Sequence, residues 1–516
     1  MTRRGAALWL GAMAAAYAAL VAAHWNPGHL DFGDGNYMYI SWRAAQGAMV
    51  YRDILAPQPP VHFLIGEVLA RAGHLLPHPL YAFRAYSVLL HVATMMVVYA
   101  AALRTAGGAS PAARCAMRPV GVAAAAIYLL LPLGFWWTLG YQSEPTEMLF
   151  MTLAFLLMTR WTLAAAAGAG VLMALAVLTN MTAAPYALFF VAGLALRRPR
   201  QLAAYGAPLA LLVGGAWVFF EWRTGAFIEN VVANQVGSFP RPEFLPPGQT
   251  LLDYAVGKIV REGGDVLALE GGYIVLALLG LLRYTRRGPR EVREYAALFA
   301  AAALMSILYV AKGGTVDYIF TIGEPWVATF SGYMLVHFWR KHMTGGRAQW
   351  LPGGADLTAL ARWLATAMAL LTVMGPGLLH SWNTLRQGSY ELDEYRTMEV
   401  VRIMQRHCPP DGLVLSPPHY AFIAQRRIAL DYSELLLWTL KYFNERQDGQ
   451  RGRGVETVER LAGMLDRREI AFVALDLAQT GRIPEIRAAI ERQYRPLRAE
   501  EFRTLNTRLQ FYVPRQ

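Results

Sequence analysis

Apolar runs long enough to cross a bilayer recur along the first three quarters of this chain, and they constrain its fold more than any other feature. A helix crossing the hydrocarbon core needs roughly 20 apolar residues. Segments of that kind are read near 6–25, 82–103, 119–140, 147–160, 163–179, 182–196, 202–222, 268–283, 294–311, 319–339 and 359–379. They predict a mainly α, polytopic membrane protein with about eleven transmembrane helices. Composition agrees: of 516 residues, 55% are hydrophobic and 16% charged, with a mean hydropathy of +0.28. Soluble domains carry about 25% charged residues. Arg3 and Arg4 would also suit a signal peptide. The run behind them is too long for that, and His24 to Pro27 makes a poor cleavage site.

The formal net charge of +12 could point to nucleic acid, but its distribution does not. Basic residues gather in alternate loops: Arg3 and Arg4; Arg104, Arg114 and Arg118; Arg197, Arg198 and Arg200; Arg283 to Arg293; Arg340, Lys341 and Arg347. That alternation follows the positive-inside rule and predicts a cytoplasmic N-terminus in a plasma (inner) membrane protein. Loops 26–81, 141–146, 223–267 and 312–318 then face outward, as does the tail after His380. The expected partners of the basic loops are membrane lipids, not nucleic acid. Most acids, including Asp31, Asp34, Asp53, Glu144 and Glu147, fall on the outer side, which is where an active face is expected. Cys115 and Cys408 are predicted on opposite sides, so no disulfide framework follows.

The chain divides at about residue 385. Residues 1–385 form the predicted membrane domain, and 386–516 a soluble extracytoplasmic α/β domain. Within the latter, Tyr395 to His407 has helical spacing. Leu413 to Leu415 and Ile470 to Leu475 suit buried strands, and helices are read at 455–468 and 481–493. Asn444 to Gly454 reads as a polar loop.

The loop from Asp31 to Pro60 is where chemistry is expected. Asp34 lies between Gly33 and Gly35, which lets the backbone bring its carboxylate close to a ligand. A carboxylate so placed can take a proton from an attacking hydroxyl, or it can cap the helix that begins near Asn36. Asp31, Glu144 and Glu147 are candidates for a second acidic group lining the same cavity, with helix capping as the alternative for the two glutamates. Arg52 and Lys312 could hold a phosphate, since a cation offsets charge developing on a leaving group. For Lys312 the alternative is snorkelling to the headgroups. Tyr37 and Tyr318 are candidates to line a substrate. Asp53 is expected to pair with Arg52 or cap a turn. His62, His74 and His78 lack metal-ligand spacing and read as interfacial polar residues. His419, Asp431 and Asp476 read as surface or turn residues.

Several of these pieces resemble a known family. Asp34 to Tyr39, Trp42 to Asp53 and Pro59-Pro60 are similar to the first outer loop of C-type polyprenyl-phosphate-dependent glycosyltransferases. That superfamily includes protein O-mannosyltransferases and lipid A aminoarabinose transferases. Ser143 to Glu147 and Leu175 to Thr182 extend the resemblance. Gly35 stands where many relatives carry a second acid, and Asn180 where a lysine is common. The resemblance implies the C-type fold and a polyprenyl-phosphate-linked sugar as donor. It also implies a catalytic acid–base role for Asp34. A glycan, lipid or protein acceptor is expected, with a divalent metal possible and no other cofactor.

The chain has neither a Walker loop nor a Gly-x-Gly-x-x-Gly fingerprint. An outward-facing transferase without nucleotide chemistry needs a donor already activated and anchored in lipid, which agrees with the resemblance. The competing expectations are a lipid-linked-sugar transporter or flippase and a non-catalytic envelope protein. The predicted spans look nearly free of mid-helix acids, which disfavours the transporter.

Overall fold

The computed structural model describes residues 1–23, 32–108, 110–137, 140–160, 162–233, 248–287, 303–307, 309–310, 317–343, 394–431, 458–476, 483–497 and 509–516, with a few positions between 375 and 383. The membrane part runs through α1 (Arg3–Ala23), α2 (Phe32–Ala45), α3 (Pro60–Gly73), α4 (Leu80–Gly107), α5 (Pro111–Ala116), α6 (Arg118–Leu130), α7 (Pro132–Trp137), α8 (Ser143–Met158), α9 (Leu163–Val177), α10 (Ala184–Arg197) and α11 (Pro199–Thr224). Helices Leu251–Arg287 and Glu324–Met343 follow. Among the described residues, α1, α4, α11 and Leu251–Arg287 are both long and apolar enough to cross a membrane. The helices Arg118–Leu130, Leu163–Val177 and Met181–Leu196 are apolar but shorter. The expected span 119–140 is broken, because Leu131 precedes Pro132 and turns extended there. The count of eleven stays an expectation, since the spans near 294–311 and 359–379 fall largely outside the described residues.

Small residues bring the helices together, as they must where lipid supplies no hydrophobic drive for association. A Cβ on Gly170 of α9 would lie 2.2 Å from the Tyr205 carbonyl oxygen of α11. One on Gly332 would lie 2.6 Å from the Ala124 nitrogen of α6.

Arg84 and Arg104, near the two ends of α4, mark two faces of the bundle, about 30 Å apart at a rise of ~1.5 Å per residue. At one end Arg84 meets Asp34 of α2. At the other, Arg104 donates to the Thr159 carbonyl (2.7 Å), Arg118 to that of Met1 (3.3 Å) and Arg340 to that of Ala116 (2.9 Å). Arg104, Arg118 and Arg340 thus gather at the end of the bundle that carries the N-terminus.

The C-terminal part forms a five-stranded sheet in the order β2-β1-β3-β5-β4, with β1 Leu413–Leu415, β2 Arg427–Ile428, β3 Ile470–Asp476, β4 Tyr494–Pro496 and β5 Leu509–Pro514. β1 is parallel to β2 and β3, whereas β5 is antiparallel to β3 and β4. The expected strands and the three expected helices appear at Glu394–His407, Val458–Asp466 and Pro484–Gln493. Asn444 to Gly454 lies outside the described residues. The sheet's core does not stop at the domain's edge: Met38, Trp42, Phe83 and Tyr141 belong to one continuous cluster with Phe422 and Ile428. The C-terminal part therefore sits on α2, at the Asp34 end of the bundle.

Candidate functional site

Asp34 lies in the first turn of α2, past Phe32, so it is inside the helix and not at its cap. Its carboxylate reaches out of the helix. Oδ1 accepts the N–H of Tyr141 at 2.5 Å, and Oδ2 lies 3.0 Å from Nη2 of Arg84. Both partners of that ion pair are almost fully buried, at 1% and 2% exposure. A Cβ on Gly140 would come within 3.3 Å of the Asp34 carboxyl carbon, so the small residue lets the chain approach that closely. Burial pushes the Asp34 pKa up, Arg84 and the Tyr141 N–H pull it down, and the upward effect prevails.

Aromatic rings wall the site. Tyr141 stacks on His62 with centroids 4.3 Å apart and donates its hydroxyl to the His62 carbonyl at 2.6 Å. Tyr37 meets the His62 ring edge-on at 4.8 Å, and its hydroxyl accepts from Nε2 of Gln58 at 3.0 Å. His62 corrects the sequence expectation. It is fully buried in this wall, neither ring nitrogen has a hydrogen-bond partner among the described residues, and burial pushes its pKa down to about 3. It is a neutral imidazole inside the site, not an interfacial polar residue.

Glu144 and Glu147 begin α8, just beyond Tyr141, and both are buried. Nδ2 of Asn180 donates to Glu144 (3.0 Å) and to Ser143 (3.1 Å). Thr182 Oγ1 lies 2.7 Å from both carboxylate oxygens of Glu147. Asn180, the departure from the family pattern, thus serves to hold Glu144. Tyr86 ties this group to the Asp34 wall, through Thr146 at 3.1 Å and the Tyr141 ring at 6.0 Å.

The C-terminal part closes the site from above, which corrects the expectation that His419 and Asp431 are surface or turn residues. His419 packs on the backbone beside Asp34, since a Cβ on Gly35 would lie 2.3 Å from the His419 Cβ. Asp431 forms a buried bidentate pair with Arg43 of α2, at 2.7 and 2.9 Å, and accepts the Tyr39 hydroxyl at 2.7 Å. Tyr39 in turn accepts the N–H of Ile428 at 2.8 Å. Gly35 is therefore a small residue that admits His419, whatever it displaces from the family pattern.

Other predicted residues stand elsewhere. Arg52 makes a two-point contact with Asp53, at 2.8 and 3.0 Å, and both side chains are exposed. Asp53 also accepts the Met49 N–H, so it both pairs with Arg52 and closes a turn, as expected. Neighbouring Tyr51 points into a separate cluster with Phe63 and Phe227. Asp31 and Lys312 lie outside the described residues, and Tyr318 falls in the short 3-10 helix Asp317–Gly323. Among the described residues, no group of three or more His, Cys, Asp or Glu could hold a metal ion.

Two features escaped the sequence reading. Arg84 carried a signal, an arginine inside an otherwise apolar 82–103 run, where a charge implies a buried partner. Glu270 lies within a predicted span, which corrects the impression of nearly acid-free spans. It is buried, accepts the Leu133 N–H at 3.0 Å, and stands near buried Glu324. Leu133 follows the far end of α6 from Arg118, so this pair too keeps to the Asp34 half of the bundle.

No family model and no curated protein matches the chain's sequence. Solved structures do match its fold. ArnT from Cupriavidus metallidurans bound to undecaprenyl phosphate superposes with a TM-score of 0.59 at 13% identity, over 97% of each chain. The Archaeoglobus fulgidus oligosaccharyltransferase tethered to an acceptor peptide gives 0.55 at 13% identity, over 94% of this chain and 72% of that one. The mycobacterial arabinofuranosyltransferase AftD gives 0.52 at 16% identity, over 99% of this chain and 42% of that one. These neighbours are C-type polyprenyl-phosphate-sugar glycosyltransferases of the membrane. This chain is a membrane protein with their fold.

Proposed function

We propose that the chain is an integral membrane glycosyltransferase. It moves a sugar from a polyprenyl-phosphate donor to an extracytoplasmic acceptor hydroxyl, with inversion at the anomeric carbon. The observation that carries this reading is the buried Asp34, held by Arg84 and the Tyr141 N–H within a C-type glycosyltransferase fold. The acceptor oxygen attacks the anomeric carbon, the bond to the donor phosphate breaks, and the acceptor proton passes to Asp34. Burial strengthens Asp34 as a base by raising its pKa, and Arg84 opposes that rise by favouring the carboxylate. Glu144 and Glu147 line the neighbouring wall as polar residues for sugar hydroxyls. Lys312 is the candidate for the leaving phosphate. Arg52 is the weaker one, because Asp53 already occupies its guanidinium.

A divalent metal, if used, would have to compete for Asp34 with Arg84 and for Glu144 and Glu147 with Asn180 and Thr182. The protein belongs on this reading to the plasma (inner) membrane, with Asp34 and the C-terminal part outside. Titrating purified protein with polyprenyl-phosphate sugars and glycan, lipid or peptide acceptors tests the reaction. A new glycosidic bond and release of polyprenyl phosphate are expected. Movement of the same lipid across vesicles without any new bond would replace this reading with the transporter one, for which the buried Glu270 and Glu324 are the favouring observation.

A further inference from the structure

A cavity of about 370 Å³ opens beside the C-terminal end of α2. Its walls are the Gly47–Tyr51 turn, α3 and the last turns of α11, with Arg71 and Arg223 among its lining residues. Ala44 marks its position on α2, ten residues beyond Asp34 and so about 15 Å along the helix. Two apolar lining residues are open: Leu64 of α3 is 49% exposed and Phe219 of α11 46%, while Trp222, next to Arg223 in the chain, is 81% exposed. Apolar side chains exposed along a membrane-spanning helix face acyl chains, and a tryptophan at its end sits at headgroup depth. The cleft therefore joins a lipid-facing rim to two guanidinium groups at the interface, one of them paired with the Glu67 carboxylate that also lines it.

The two arginines differ. Arg71 pairs with Glu67 one turn away. Arg223 has no carboxylate partner among the described residues; its guanidinium carbon lies 5.9 Å from the Phe219 ring centroid. A guanidinium over an aromatic ring at a bilayer surface keeps its fork of N–H donors free for an oxyanion.

We propose that this cleft binds the phosphate headgroup of an anionic phospholipid of the surrounding bilayer, with Arg223 as the principal contact and Arg71 as the second. The acyl chains lie along Leu64, Phe219 and Trp222. The occupant is a bilayer phospholipid and not the sugar donor, since the cleft meets α2 near its C-terminal end, about 15 Å along the helix from Asp34, and opens onto a lipid-facing rim. The site is independent of the transfer reaction and anchors the loop that follows α2.

The test measures binding in the full-length protein, without reference to activity. Protein is extracted from mixed phosphatidylglycerol and phosphatidylcholine membranes, and the retained lipids are counted by mass spectrometry. Phosphatidylglycerol should be enriched, and Arg71→Gln with Arg223→Gln should cut the enrichment roughly tenfold, the scale of a lost charge-assisted contact. Arg223→Lys should keep most of it, and Arg468→Gln in the C-terminal part should change nothing. If the double variant does not insert, Arg223→Gln alone carries the test with a smaller loss. Undiminished enrichment in these variants would overturn the proposal and leave Arg223 as a cation that only offsets the helix end. Retention of added polyprenyl phosphate in preference to phosphatidylglycerol would overturn it equally.

Discussion

Asp34 and Asp53 open and close the same segment, and each is paired with an arginine, yet they are opposite kinds of residue. Asp34 is buried, and its pKa lies above the ordinary 3.8 in spite of Arg84, because desolvation outweighs the charge beside it. Asp53 is half exposed, and the Arg52 hydrogen bond holds its pKa below that value. A carboxylate–arginine pair is thus no constant unit. In water it keeps an acid ionised and does little else. Inside the protein it leaves a base that titrates higher and depends on its partner. The comparison also runs through linkage. Asp34 favours the folded state below its unfolded pKa, and that contribution disappears as pH rises through the folded value. Asp53 contributes above its unfolded pKa and loses that contribution as pH falls through its folded value.

The largest expected effect is at Asp34. Asp34→Asn should reduce transfer by about 10²–10⁴-fold, the usual range for a general acid–base group, while the protein still inserts and folds. Circular dichroism and size-exclusion chromatography check the fold; radiolabelled sugar transfer checks the rate. Near-normal transfer would remove Asp34 from the chemistry and leave it as a buried structural acid.

Arg84→Met should come next. It strands a buried carboxylate, and breaking such a pair costs about 3–5 kcal/mol. The remaining carboxylate loses the cation that lowers its pKa, so the acid limb of the kcat/KM profile should move to higher pH. A variant that lost activity evenly across pH, with its acid limb unmoved, would show that Arg84 does not set the protonation of Asp34.

Asp431→Ala tests whether the C-terminal part holds α2 in place. The Arg43–Asp431 pair and the Tyr39 hydroxyl lie buried between the two parts, so removal should cost about 3 kcal/mol and lower the melting temperature. An unaltered melting curve would mean that the apolar contacts of Trp42 and Phe83 with Phe422 are sufficient to dock the domain.

How much of this was legible beforehand follows from what each residue depends on. Apolar length is a local property, so the long apolar helices α1, α4, α11 and Leu251–Arg287 are legible in the sequence. The strands Leu413–Leu415 and Ile470–Asp476 were legible for the same reason. Asp34 was marked by its glycines and Asp53 by its adjacent arginine. Arg84 and the roles of His62 and His419 are not legible there, because each acquires its meaning from a partner distant along the chain. His419 is nearly four hundred residues from the Gly35 it covers, and no spacing rule connects them. In the sequence Asp431 reads as a surface or turn residue. Its backbone does turn, with φ near +49°, but its carboxylate is buried against Arg43.

The smallest expected effect closes the comparison. Asp53 shares its oxygens between Arg52 and the Met49 N–H, at a surface where water can replace either contact. Asp53→Asn keeps an oxygen for the Met49 N–H and gives up only the charge. Exposed pairs of this kind contribute little, and salt screens them further. Transfer rate, donor KM and melting temperature should therefore stay close to those of the unaltered protein, and raising the salt concentration should narrow what difference there is. If Asp53→Asn instead raised the donor KM sharply with kcat unchanged, the released Arg52 would be disturbing the donor's phosphate. The exposed pair would then belong to the functional site, and burial would no longer be what separates the two aspartates.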